Sequence, residues 1–116
     1  MRLGLTWLTA NEIGAKLDLV AETVRQSGWK HLYLHVDLDV LEPSAFASLG
    51  WPEPGGLRPE PLRTALQSLH ATCNIVGGGL TEYLPVADSQ QAQRDEVAAL
   101  EILDVWSGLG RLNEQR

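Results

Sequence analysis

The sequence holds a single cysteine, Cys73, in 116 residues. An intramolecular disulfide is therefore excluded, and a reducing compartment fits. No apolar run approaches the roughly 20 residues that cross a bilayer. The opening residues, Met1 to Thr9, are too short an apolar stretch for a signal peptide and carry no clear cleavage pattern, so a cytoplasmic protein is expected. Positive charge is also scarce: nine Lys and Arg face 15 Asp and Glu, a formal charge of -6. Nucleic acid and anionic membranes both require clustered cations, so neither is expected as a partner. A cation or a cationic substrate suits the balance better. Hydrophobic residues make up 44% of the chain, enough for one core, and the length suits a single domain over residues 1–116.

Leu3 to Leu8 is apolar and β-prone, and reads as a short strand or an arm. Thr9 stands three residues before Glu12 in a capping-box arrangement, and Ile13, Leu17, Val20 and Val24 follow at helical spacing. This predicts one amphipathic helix running to Gly28. Leu32 to Leu38 reads as a buried strand, and Glu42 to Gly56, rich in Pro and Gly, as a loop. Pro59 and Pro61 suit the first turn of a second helix with a stripe of Leu62, Ala65, Leu66 and Leu69, ending near His70. Asn74 to Leu80 reads as a second strand. Its Gly77, Gly78 and Gly79 imply a weaker strand or a closely approaching neighbour. They are no phosphate loop, since no Lys-Ser or Lys-Thr follows. Asp88 caps a third helix whose expected apolar face is Val97, Leu100, Leu103 and Trp106, before Gly108 and Gly110. Helices alternating with strands give an α/β fold with parallel strands joined by crossovers.

The most informative stretch is His31-Leu-Tyr-Leu-His-Val-Asp-Leu-Asp-Val-Leu-Glu-Pro43. Alternate side chains of a strand share a side, which puts His35, Asp37 and Asp39 on one face. Carboxylates two residues apart at a strand end suit a hard divalent cation, although two acidic residues can also merely end a strand in solvent. His35 stays open between a third ligand, a donor to a carboxylate, and a hydrogen-bonded part of the core, with the last preferred. Cys73 lacks an activating partner and reads as inert core.

Asp37-Leu-Asp39-Val-Leu-Glu-Pro43, then Gly50-Trp-Pro-Glu-Pro-Gly-Gly-Leu57, then Val76-Gly77 leading to Thr81-Glu82-Tyr-Leu-Pro85, resembles the C-terminal part of the arginase and agmatinase family of ureohydrolases. The resemblance implies half of an arginase-like fold, a three-layer α/β/α sandwich with a parallel sheet. It also implies a site with two manganese ions held by aspartates and histidines. By that resemblance Asp37 and Asp39 are catalytic metal ligands, Asp37 bridging both ions and Asp39 binding the second, while Glu82 receives the substrate's guanidinium group. The implied reaction is metal-dependent hydrolysis of a C–N bond in a guanidino or formimino compound. Five positions depart from the family pattern: His35 replaces a small residue, Glu42 an aspartate, Gly78 and Gly79 apolar residues, and Trp51 a threonine, where an indole can close or reshape a pocket.

The family's other ligands come from a Gly-Gly-Asp-His type segment and an Asp-Ala-His-x-Asp type segment, and neither occurs here. At most a partial manganese site is expected, and a chain that is incomplete or inactive alone. A family fold lacking its first half leaves a strand edge and apolar surfaces bare, which predicts a homo-oligomer or a complementing N-terminal half. The alternative is a non-catalytic α/β assembly or metal-binding domain derived from the family.

Overall fold

The structure is a computed structural model that describes residues 6–107. Four α-helices and two β-strands follow in the order α1 (Ala10–Ala15), α2 (Leu19–Ser27), β1 (His31–Asp37), α3 (Pro59–Thr72), β2 (Asn74–Thr81) and α4 (Ser89–Ser107). The strands pair in parallel, joined through α3. The α/β class read from the sequence is therefore observed. Residues 3–5 of the expected first strand lie outside the described residues, as do Gly108 and Gly110, and Thr6 to Leu8 are irregular. No helix among the described residues is long and apolar enough to cross a membrane.

The capping box forms as expected: Thr9 Oγ1 accepts from the Glu12 N–H at 3.1 Å, and Glu12 Oε1 accepts from the Thr9 N–H at 3.2 Å. The single helix expected after it is instead two. Lys16 is extended (φ -144°, ψ 97°), and its ammonium reaches past the break to Glu22 at 2.7 Å. Ile13 and Val20 still line one apolar hollow with Leu34, Val36 and Leu62, so the spacing of apolar residues survives a break it does not reveal. α3 follows its prediction, with Leu62, Ala65, Leu66 and Leu69 buried.

α4 corrects its prediction. Gln91 N–H donates to Asp88 Oδ1 at 2.9 Å, so the cap is as read. Val97 and Leu100, however, are exposed, and the buried face is Asp95, Ala99 and Ile102. Trp106, also on the expected face, does pack partly buried against the core; the stripe misleads nearer the helix start, where a carboxylate, Asp95, takes an inward position.

One cluster of Val36, Leu38, Leu41, Phe46, Leu49, Leu57, Leu62, Leu66, Ala99 and Ile102 forms the core. Five of these, Leu38, Leu41, Phe46, Leu49 and Leu57, come from the segment between β1 and α3, and Phe46 is wholly buried. The strands are less covered. Leu34 and Val36 face the helices, while Tyr33, on the opposite side of β1, is 69% exposed. The register slips between Leu32 and Tyr33, leaving Val76 without a Cα partner and 63% exposed. Gly78 admits a close neighbour, because any Cβ there would strike the Trp106 indole of α4 and the Leu34 carbonyl. Tyr33 lies over Gly77 and Gly79 on the other side.

Candidate functional site

β1 ends because Asp37 captures the backbone. Its Oδ1 accepts from the Asp39 N–H at 2.9 Å, and Leu38–Val40 winds into a short 3₁₀ turn. Short polar side chains offer the chain this alternative to a sheet ladder. The pleat therefore reaches Asp37 and stops, so Asp39 does not share the strand face with His35 and Asp37, as alternation alone suggested. Asp39 instead turns toward the following loop, where its Oδ1 accepts from the Trp51 N–H at 2.9 Å. The Trp51 ring is 72% exposed, so it fills no cleft among the described residues.

Glu82 stands one residue past β2, at the same end of the sheet, since Asp37 pairs with Thr81. Its backbone is left-handed (φ 66°), rare for a residue with a side chain. Gly50 packs against it in two ways: its N–H donates to the Glu82 carbonyl at 3.2 Å, and its lack of a Cβ leaves room for the Glu82 carboxylate. Gly50 and Trp51 are adjacent, so one dipeptide touches Glu82 with its first residue and Asp39 with its second.

His35 is exposed rather than part of the core, because the described residues leave its side of β1 uncovered; its Nε2 lies 3.2 Å from Thr81 Oγ1. Among the described residues no group of three or more His, Cys, Asp or Glu comes together to hold a metal ion. Asp37 and Asp39 each use one oxygen on a backbone N–H. The remaining carboxylate oxygens are the right donors for a hard cation but too few for a complete cage. The fit is thus that of part of a site.

The sequence reading missed two polar anchors. Asp95, 2% exposed on α4, accepts through Oδ2 from Ala47 N–H (3.3 Å), Ser48 N–H (3.0 Å) and Ser48 Oγ (2.7 Å), and through Oδ1 from Gln91 Nε2 (2.7 Å). Ser48 in turn accepts from Val86 N–H at its Oγ and from Leu84 N–H at its carbonyl. Glu42 Oε2 accepts from the N–H groups of Gly55 and Gly56 at 2.8 and 3.2 Å. The Gly55 N–H, the largest influence, holds the Glu42 carboxyl below its ordinary value. The only hint was that Asp95 lies on the helix face that Ala99 and Ile102 share.

The sequence matches the Arginase family over residues 1–106. The chain belongs to the arginase family. It is 32% identical to an agmatinase of Chromobacterium violaceum over 100 residues, 86% of this chain and 29% of that one. It is 38% identical to a mitochondrial arginase of Medicago truncatula over 72 residues, 62% of this chain and 21% of that one. A crystal structure of Helicobacter pylori arginase superposes with a TM-score of 0.72 at 26% identity, over 83% of this chain and 33% of that one. The fold is therefore that of the arginases, and this chain spans less than a third of the curated relatives it matches.

Proposed function

We propose that this chain carries the acidic, substrate-facing part of a ureohydrolase site and acts on a C–N bond of a guanidino or formimino compound once further ligands complete it. The observation behind this reading is the Gly50-Trp51 bridge. It holds Asp39 through a backbone N–H and cradles a strained Glu82, gathering carboxylates from two strand ends around one short segment. α/β folds place ligand sites at such carboxyl ends. A non-glycine residue kept in the left-handed region is a reason to look for function there.

In this proposal Asp37 and Asp39 hold manganese, which when bound supplies Lewis acidity for attack by water. Glu82 offers two acceptor oxygens to the N–H donors of a planar cation and so orients its carbon. We further propose that additional arginase-like chain covers the Tyr33 and Val76 side of the sheet, from a second copy or a separate segment; sedimentation at high concentration that stays monomeric would count against the second copy.

Calorimetric titration of the metal-free chain with manganese tests the central reading. The expected result is binding that disappears in Asp37→Asn. Heat that is absent throughout, or unchanged in Asp37→Asn, would leave these carboxylates as a strand terminus and favour a non-catalytic assembly domain.

A further inference from the structure

Glu82, just past the end of β2, occupies an unfavourable backbone region. The restraint comes from outside. Gly50 donates to its carbonyl, Leu49 and Tyr83 form an antiparallel bridge, and the next residues, Leu84 and Val86, donate to the carbonyl and hydroxyl of Ser48. Ser48 is wholly buried, and its own N–H and hydroxyl both end on Asp95 Oδ2. A buried carboxylate with so many donors aimed at it is costly to disturb, since every orphaned N–H loses its partner away from water.

We infer that Asp95 and Ser48 are positioning residues that fix Glu82 opposite Asp39, by clamping residues 47–51 and 83–86 together from α4. This rests on the reading of Glu82 and Asp39 proposed above, but the two can fail separately. The chain of contacts runs from Asp95 to Ser48, from Ser48 to Leu84 and Val86 on either side of Pro85, and through Gly50 to Glu82 itself. Trp51, the next residue, carries the same restraint to Asp39. Asp95 therefore acts on the site without touching anything that would bind there. Substrates that lean on Glu82 should feel its loss, and a metal ion held at Asp37 should feel it much less.

The test compares the full chain with Ser48→Ala, Asp95→Ala and Asp95→Asn by NMR, reading amide exchange and the backbone coupling constant that reports φ at Glu82. In Ser48→Ala we expect Val86 and Gly50 amides to exchange about tenfold faster or more, with β1 and β2 amides unchanged. The Glu82 coupling should move away from its left-handed value. Asp95→Ala should do the same more strongly, and Asp95→Asn should rescue it in part, because an amide oxygen can still accept from Ser48. An unchanged Glu82 coupling and Gly50 exchange in folded Ser48→Ala would overturn the inference. So would loss of protection spread evenly over both strands in Ser48→Ala and Asp95→Asn, which would make the network a general stabiliser. Manganese titration of the same samples separates the two readings: failure of the unmutated chain to bind refutes the proposed site and leaves the Glu82 readout to judge the clamp.

Discussion

The irregular segment from Leu41 to Leu57 and the two strands of the sheet have exchanged the roles usually given to loop and strand. The segment places Leu41, Phe46, Leu49 and Leu57 in the core and is tied by Glu42 and Asp95, whereas the strands leave Tyr33 and Val76 largely in solvent. A strand is regular because its backbone pairs; burial is a separate condition, met only where something packs against the face. Among the described residues the helices meet only the Leu34 side. Order in the site segment comes instead from side chains: Glu42 near its start takes the Gly55 and Gly56 N–H groups near its end, and Asp95 of α4 takes those of Ala47 and Ser48 in its middle, none of which a ladder satisfies.

Substitution can break this comparison most directly at Phe46. Phe46→Ala should cost about 3–5 kcal/mol in chemical denaturation, the range for emptying a buried aromatic site, and a loss under 1 kcal/mol would mean that the segment is not truly part of the core. Gly56→Ala is next, because its Cβ would meet the backbone at Val40, Leu41 and Glu42. Backbone cannot swing aside as a side chain can, so about 1–3 kcal/mol is expected, read from the same denaturation curves.

A smaller effect is expected from pH. The Glu42 carboxyl is held below its ordinary value by the Gly55 N–H, so its contribution is fully present above the ordinary carboxylate range and is lost as pH falls through the lowered value. Thermal unfolding followed from about pH 6 to about pH 3 should fall less steeply in Glu42→Gln than in the unmutated chain; parallel curves would sink this account. The least effect is expected at Tyr33→Thr, within about 0.5 kcal/mol, as for other exposed positions. A clearly larger loss would sharpen the comparison in the other direction, since it would reveal that something already covers the sheet face.

Much of the fold was legible because it depends on near neighbours. The Thr9 and Asp88 caps, the buried stripe of α3 and the extent of β1 and β2 follow from local chemistry and period. What was not legible depends on distant partners. The break at Lys16 preserves the apolar spacing on both sides of it. Asp95 reads as one more surface acid until Ser48, 47 residues away in the chain, is brought against it. Asp37, Asp39 and Glu82 could be singled out from their motif, but Asp39's turn away from the strand face required the Asp37 hydrogen bond, which alternation does not contain. His35 was preferred as a hydrogen-bonded part of the core over a third ligand or a donor to a carboxylate, and the sequence does not say which face of its strand will be covered.

The left-handed backbone at Glu82 has a consequence for how this protein can change over time. Glycine would sit there without strain, and asparagine with less, so random substitution judged by stability alone would drift toward either. A glutamate at that position is a standing disadvantage to a chain that only has to fold. Drift would remove this acid before it removed Asp37, whose oxygen also ends the strand. Among descendants freed from whatever Glu82 does, position 82 is where the release should first be written.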